Sequence, residues 1–128
     1  MRFKSLTPVL FVEAIEPCLE FWKKLEFQTV AEVPEGNRLG FVILARDGVQ
    51  LMYQTRDSLR NDVPAFADQK FESCNPLYFI VDDLNDVDQK LAGVQKVMPR
   101  RDTFYGATEF SVREPGGYVV CFSEHKEH

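Results

Sequence analysis

The fold is decided by residues 41–54, which read FVILARDGVQLMYQ. Asp47-Gly48 in the middle predicts a two-residue hairpin turn, because both residue types tolerate the positive φ angles that such a turn requires. The flanking residues are mainly aliphatic, β-branched and aromatic, as in buried strands. We therefore predict an antiparallel hairpin made of two strands, Leu39 to Arg46 and Val49 to Gln54.

A similar pattern recurs at an offset of 69 positions, the distance from Val12 to Val81. Similar residues match at this offset without an insertion: Ile15 with Leu84, Phe41 with Phe110, Gly48 with Gly117, Leu51 with Val120, and Tyr53 with Phe122. A repeat of this kind indicates two copies of one structural unit. We therefore interpret the two halves of the chain together.

Each half is predicted to have the order βαβββ, which makes the chain an α+β protein. In the first half, a strand precedes a helix whose apolar residues follow helical spacing. Its elements are a strand at Thr7 to Val12, a helix from Ile15 to Leu25, a strand at Gln28 to Val33, a turn at 34–37 and the hairpin. The second half repeats the order, with strands at Leu77 to Val81, Val94 to Val97, Thr108 to Arg113 and Tyr118 to Ser123, and a helix from Asp83 to Ala92 that Gly93 ends.

The 128 residues suit a single domain. We predict a first module at 1–54, a linker at 55–75, a second module at 76–123 and a tail at 124–128. The linker is expected to hold short helical turns at Asp57 to Arg60 and Pro64 to Ala67.

Composition and charge exclude several classes of function. With 15 basic and 20 acidic residues, the chain has a net charge of -5 and lacks the excess of basic residues that nucleic-acid binding requires. An acidic surface favours a cationic ligand. No apolar run approaches the roughly 18 residues that span a membrane. Three cysteines without a C-x-x-C pair suit a reducing compartment, so we predict a cytoplasmic protein.

The two histidines, His125 and His128, lie in the last four residues, where chains commonly fray. We therefore expect no imidazole in the body of the fold. This argues against histidine-dependent nucleophilic catalysis and against a multi-histidine metal site, since both need a ring held in place by packing.

A tandem βαβββ of this length resembles the vicinal oxygen chelate superfamily, which includes glyoxalase I, extradiol dioxygenases and bleomycin-resistance proteins. Four stretches make the resemblance nearest to the bleomycin-resistance proteins. They are Thr7-Pro8-Val9-Leu10, Phe21-Trp22, Leu25-Glu26-Phe27, and residues 109–117, which read EFSVREPGG. It implies curved mixed sheets around a cavity (the glyoxalase/bleomycin-resistance fold) and a homodimer.

The resemblance also implies where a metal would be held. The aligned ligand positions are Thr7, Met52 (or Gln50), Pro76 and Cys121. Such residues cannot supply the three or four good donors, roughly, that a divalent ion needs. We therefore predict no metal, no cofactor and no catalytic residue.

The sequence thus favours a binding protein over an enzyme. We predict a metal-independent protein that sequesters a drug-like small molecule, possibly cationic, and so confers antibiotic resistance, with neither nucleic acid nor membrane as a partner. Two alternatives stay open: a metal-dependent enzyme of the glyoxalase or dioxygenase type, and a structural or regulatory module without a ligand.

Strand alternation predicts which side chains face the ligand, because residues of equal parity share one face of a sheet. The hairpin should set Ile43 opposite Met52 and Phe41 opposite Gln54, and the repeat extends this to Val112 and Phe110. Phe104-Tyr105-Gly106 is a candidate lid, whereas Trp22 is assigned to the core and Glu114 to solvent. The predicted ligand-binding residues are Phe11, Phe41, Gln50, Met52, Gln54, Tyr78, Phe104, Tyr105, Phe110 and Cys121.

Overall fold

The computed structural model describes residues 1–66 and 75–126. The chain divides into two compact units, Met1–Phe71 and Glu72–His128. Each unit contains one four-stranded mixed sheet and runs in the order βαβββ, as the repeat predicts. The α+β class is therefore confirmed.

The first unit has β1 and β2 at the edges of its sheet, in the order β1-β4-β3-β2. Strand β1 runs parallel to β4, and the other neighbours are antiparallel. Its elements are β1 (Val9–Val12), α1 (Glu16–Lys24), β2 (Gln28–Glu35), β3 (Arg38–Arg46), β4 (Val49–Thr55), α2 (Arg56–Asp62) and a 3-10 turn (Pro64–Phe66). Helix α2 and the 3-10 turn confirm the helical turns predicted in the linker. Ala67, the last residue of the second predicted turn, lies outside the described residues.

The second unit repeats this topology in the order β5-β8-β7-β6. Its elements are β5 (Leu77–Ile80), α3 (Leu84–Lys90), β6 (Lys96–Asp102), β7 (Ala107–Arg113) and β8 (Val119–His125). The side chain of Asp83 caps α3 by accepting a hydrogen bond from the Asp86 amide at 3.1 Å, as expected for this residue type. Strand β6 is longer than predicted because Pro99 and its polar neighbours can lie at a sheet edge, where a missing N–H breaks no ladder bond.

Helix α1 carries the largest buried side chain of the first unit. Trp22 is fully buried, and its indole Nε1 donates a hydrogen bond to the Tyr53 hydroxyl at 2.8 Å. Its ring also makes edge contacts with Phe21 and Phe27. The predicted core role of Trp22 is confirmed, and the indole N–H that burial would otherwise leave unsatisfied has a partner on β4.

The two central hairpins differ in register by one residue. In the first unit, Phe41 pairs with Gln54 and Ile43 with Met52, as predicted. In the second unit, Phe110 pairs with Phe122, while Ser111 pairs with Cys121. The two-residue turn Asp47-Gly48 is replaced by a longer one, in which the Glu114 amide donates to the Tyr118 carbonyl. This shift of one residue puts every side chain of β7 on the face opposite to the one that the offset of 69 predicts.

No helix among the described residues is both long enough and apolar enough to cross a membrane.

Candidate functional site

Each sheet presents one face to the helix of its own unit. In the first unit the helix side is marked by Tyr53, which bonds to Trp22 of α1, and in the second by Glu124, whose Oε1 accepts from the Leu84 amide at the start of α3. The alternate residues point away from α1 or α3. We call the face of each sheet that points away from its helix the open face.

On the open face of the first unit, the structure brings together most of the predicted ligand-binding residues of that half. Gln54 lies between Phe11 on β1 and Phe41 on β3, and Met52 lies beside Ile43. These side chains are half-buried, whereas Gln50, nearer the Asp47-Gly48 turn, is exposed. Gln54 Nε2 donates to the Ser58 hydroxyl at 3.2 Å, which fixes its amide on this face.

The open face of the second unit is more polar. Tyr78, Cys121 and Ser111 form one row across β5, β8 and β7, and Ile80, Ser123 and Glu109 form the next row. Cys121 and Ser111 are both 6% exposed, whereas Tyr78 is 46% exposed. A polar row with aromatic rings at its margin therefore replaces the apolar residues of the first unit.

Glu109 is the central charged group of this face. It is 2% exposed, and its carboxylate accepts hydrogen bonds from Arg101 Nη2 and from the Tyr105 hydroxyl, both at 3.0 Å. Burial opposes ionisation, but the bonds from Arg101 and Tyr105 outweigh it and hold the pKa of Glu109 below its usual value. Glu109 is thus a buried carboxylate held in its ionised form.

The lowered pKa of Glu109 predicts an acid-dependent loss of stability. A carboxyl group whose pKa is lower in the folded state stabilises the fold above its unfolded pKa, and this contribution disappears as the pH falls through the folded pKa. We expect Glu109→Gln to flatten the decline in the free energy of unfolding below about pH 4.5, measured by urea denaturation at several pH values. An unchanged acid slope in the variant would contradict this assignment.

Aromatic side chains surround the exposed end of the same face. The Tyr78 hydroxyl lies 2.9 Å from His125 Nε2, and the ring centroids of Tyr105 and His125 are 6.0 Å apart. Phe104 is fully exposed and makes an edge contact with Tyr105 at 5.0 Å. The structure thus places Tyr78 and Tyr105 near one imidazole ring.

The sequence reasoning missed the position of His125. We expected the C-terminal histidines to fray, but His125 belongs to β8 and pairs with Ala107 of β7. The alternation of Cys121, Ser123 and His125 along one strand was the signal that could have placed its ring on the open face. His128 lies outside the described residues.

Ser123 is the neighbour of Glu109 across the strand pair. It is fully buried, and its hydroxyl makes no hydrogen bond to any residue within 1–66 and 75–126. Interaction with Ser123 is nevertheless one of the causes that lower the pKa of Glu109. A buried hydroxyl in this state costs stability.

We therefore expect Ser123→Ala to raise the free energy of unfolding by about 0.5 to 1 kcal/mol, because the lost hydration of the buried hydroxyl costs more than its interaction with Glu109 returns. Urea denaturation of both proteins at neutral pH measures this. A clear loss of stability would show instead that the hydroxyl is satisfied.

Cys121 occupies one of the four positions where the superfamily resemblance implies a metal ligand. Burial is the main cause that raises the pKa of its thiol, so the group stays protonated, as expected for an inert cysteine. Thr7 is half-buried and Pro76 is exposed. Among the described residues, no three His, Cys, Asp or Glu side chains are grouped as a metal site would require.

Two predictions about orientation are wrong. Phe110 is fully buried, and its pairing with Phe122 puts it on the helix side rather than on the open face. In the second unit, Glu109 takes the position that Phe41 has in the first. Phe41 pairs with Gln54, two residues after Met52, and Glu109 pairs with Ser123, two residues after the aligned Cys121. Glu114 is 2% exposed rather than solvated, because its Oε1 accepts from the Tyr118 amide at 2.7 Å.

Two depressions on the surface lie apart from the predicted residues. One is lined by polar residues of α3 and its flanks, and the other by residues near the Asp47-Gly48 turn. None of the ten predicted ligand-binding side chains lines either of them.

The chain resembles solved structures of the glyoxalase and bleomycin resistance type. A glyoxalase/bleomycin resistance protein/dioxygenase from Nocardioides is 20% identical, with a TM-score of 0.73 over 99% of this chain and 87% of that one. A glyoxalase/bleomycin resistance protein/dioxygenase family enzyme from Burkholderia phytofirmans is 16% identical, with a TM-score of 0.75 over 94% of this chain and 97% of that one. A bleomycin-binding protein solved with bleomycin is 17% identical, with a TM-score of 0.67 over 97% and 100%.

These similarities define the class of fold: the chain has the glyoxalase/bleomycin resistance fold. The resemblance read from the sequence is confirmed at that level. No family model matches the chain, and no curated protein matches it either.

Proposed function

We propose that the protein is a metal-independent binding protein that sequesters a drug-like small molecule, in the manner of a bleomycin-resistance protein. The observation that carries the proposal is the open face of the second unit. It sets half-exposed aromatic rings, Tyr78 and Tyr105, beside a buried ionised carboxylate, Glu109. Aromatic surface with a few fixed polar groups is typical of small-molecule sites.

The solved structures support a binding role. One structure of the same fold is a bleomycin-binding protein in complex with bleomycin, and another is a bleomycin resistance determinant encoded on the transposon Tn5. In this chain, the half-buried aromatic side chains Phe11 and Phe41 offer apolar contact surface on the open face of the first unit. We extend the proposal to antibiotic resistance in the cytoplasm.

Three titrating groups of the open face, Tyr105, Cys121 and Glu109, favour binding over catalysis. Interaction with Tyr78, burial and the Glu109 carboxylate raise the pKa of Tyr105 to about 12, so its hydroxyl stays protonated. The thiol of Cys121 also stays protonated. The Glu109 carboxylate accepts hydrogen bonds from Arg101 and Tyr105, and its pKa is lowered. A general base needs a pKa near the working pH, and none of these three groups provides one.

A thermal-shift panel tests the proposal. We expect bleomycin or a related cationic antibiotic to raise the melting temperature in proportion to the logarithm of its concentration. Mass spectrometry after denaturation should recover the ligand unchanged. A chemically altered ligand would refute sequestration, and a panel without any shift would favour the module without a ligand.

We also propose that the protein is a homodimer. Large apolar side chains near the N-terminus are exposed, with Phe3 at 93% and Leu6 at 90%, and the edge strand β2 exposes Val30 and Val33. Exposed apolar surface beside a strand edge favours association of copies. We expect sedimentation equilibrium to give twice the chain mass, and the double variant Phe3→Ser, Leu6→Ser to shift it toward the monomer. A monomeric wild-type protein at micromolar concentration would refute the dimer.

A further inference from the structure

We propose that Tyr78, Phe104, Tyr105 and His125 form a binding site for a quaternary ammonium group. We call these four rings the aromatic corner. They lie on β5, on the loop between β6 and β7, and at the end of β8. The inference rests on the proposed function, because it names the part of a cationic ligand that the second unit would hold.

The aromatic corner presents ring surface that a ligand can reach. Phe104 is fully exposed, and Tyr78 and Tyr105 are 46% and 45% exposed. The side chain of His125 is exposed as well. Neighbouring rings that stay uncovered together form an apolar patch, and patches of this kind mark interaction sites more often than single exposed residues do.

Hydrogen bonds hold the loop that carries Phe104 and Tyr105. The Thr103 amide donates to the Ala107 carbonyl at 2.8 Å, and the Ala107 amide donates to the Thr103 hydroxyl at 3.0 Å. The Tyr105 hydroxyl is bonded in turn to Glu109. Because the loop is fixed before a ligand arrives, binding costs less conformational entropy.

The angles between the rings favour a compact group over a flat one. The planes of Phe104 and Tyr105 lie at 88° to each other. Those of Tyr78 and His125 lie at 77°, and those of Tyr105 and His125 at 45°. A flat ligand ring stacks best between parallel walls, which none of these three pairs provides. A tetrahedral group can contact two ring faces that meet at a large angle.

The ring faces favour a cation over a neutral group of the same shape. A cation is attracted to the face of an aromatic ring within about 6 Å of its centroid. Neighbouring centroids in the aromatic corner are 5.0, 6.0 and 6.2 Å apart, so one cation can lie within reach of two rings. Arg101 is paired with the Glu109 carboxylate at 3.0 Å, which compensates its charge, and the net charge of -5 attracts cations to the chain.

A quaternary ammonium group suits the aromatic corner better than a primary one. The polar groups beside it already have partners, since Glu109 accepts from Arg101 and Tyr105. The Tyr78 hydroxyl lies 2.9 Å from His125 Nε2. A primary ammonium group carries three N–H donors that lose water on binding and need new acceptors. A quaternary group has no N–H and therefore avoids this cost.

Choline and its neutral carbon isostere, in which a tert-butyl group replaces the trimethylammonium group, test the site. Each is titrated into the ¹⁵N-labelled full chain at constant ionic strength and followed by amide chemical shifts. We expect choline to shift the amides of Phe104, Tyr105 and Gly106 saturably. The isostere should bind about tenfold more weakly, because it has the shape without the charge. Equal affinities would overturn the preference for a cation, and choline shifts that do not saturate would overturn the site.

Ethanolamine tests the preference for a quaternary group. It has the same hydroxyethyl chain as choline but a primary ammonium group, so we expect it to bind more weakly in the same titration. Ethanolamine binding as tight as that of choline would overturn this preference.

Phe104→Leu tests the contribution of the rings. Leucine keeps an apolar side chain, and because Phe104 is fully exposed the fold should be unaffected. We expect choline affinity to fall about threefold and affinity for the isostere to stay unchanged. Phe66→Leu is the matched control, since it makes the same replacement at a 41% exposed ring of the first unit and should bind choline like the wild type. Unchanged choline affinity in both Phe104→Leu and Tyr78→Leu would overturn the aromatic corner.

The outcomes separate this inference from the proposed function. If bleomycin or another member of the panel stabilised the protein while choline and its isostere bound equally, the proposed function would stand without the aromatic corner. If choline bound selectively and no panel member did, the aromatic corner would stand and drug sequestration would fail. A protein that binds neither choline nor any panel member would overturn both.

Discussion

Replacing Trp22 with alanine is expected to lower the free energy of unfolding by about 3 to 5 kcal/mol. The side chain is fully buried, contacts Phe21 and Phe27, and donates a hydrogen bond to Tyr53. Alanine would remove the largest ring of this core, leave a cavity, and remove the hydrogen bond between Trp22 and Tyr53. Chemical denaturation with fluorescence or circular dichroism gives the value.

Tyr53→Phe separates the hydrogen bond from the packing in this core. It keeps the ring but removes the hydroxyl that accepts a hydrogen bond from the Trp22 indole, and we expect a loss of about 1 to 3 kcal/mol in the free energy of unfolding. A Trp22→Ala variant that loses no more stability than Tyr53→Phe would contradict the packing role of the indole.

Phe110→Ala is expected to lower the free energy of unfolding by about 3 to 5 kcal/mol, because Phe110 is fully buried on the helix side of β7. It packs beside Phe122 at a centroid distance of 5.7 Å, and the ammonium group of Lys96 lies 4.9 Å from its ring. Urea denaturation measures the loss.

Phe41→Ala is the matched control for Phe110→Ala. Phe41 is half-buried on the open face, so its truncation should cost less stability, while ligand affinity falls. If Phe110→Ala left stability intact and weakened only ligand binding, the register that the structure gives to β7 and β8 would be wrong.

The sequence predicted the elements well where local chemistry is strong. Asp47-Gly48 identified the first hairpin and its register, and Asp83 marked the start of α3. Hydrophobic periodicity also assigned Trp22 to the core. In these cases the residue and its immediate neighbours determine the conformation, so the local pattern is sufficient.

The site was predicted less completely, because its geometry depends on register and tertiary contacts. A constant offset of 69 cannot hold through both strands of the second hairpin, since the turn from Glu114 to Tyr118 differs from Asp47-Gly48. The offset therefore predicts Phe110 rather than Glu109 on the open face. Its ionised state depends on Arg101 and Tyr105, which the pattern of strands does not bring to it.

His125 shows a second limit of sequence reasoning. Proximity to the C-terminus predicts fraying, but pairing with Ala107 extends β8 through this residue. The hydrogen bond with Tyr78 depends on the parallel pairing of β5 with β8, a contact between residues 47 positions apart. Local sequence cannot reveal such a contact.

Calorimetric titration of the wild-type protein with bleomycin tests the central claim most directly. We expect saturable heat with micromolar or tighter affinity for both the metal-free and the copper-loaded form, because recognition by aromatic surface and fixed hydrogen bonds does not require a metal held by the protein. No heat from either form at millimolar concentration would contradict bleomycin sequestration by this protein.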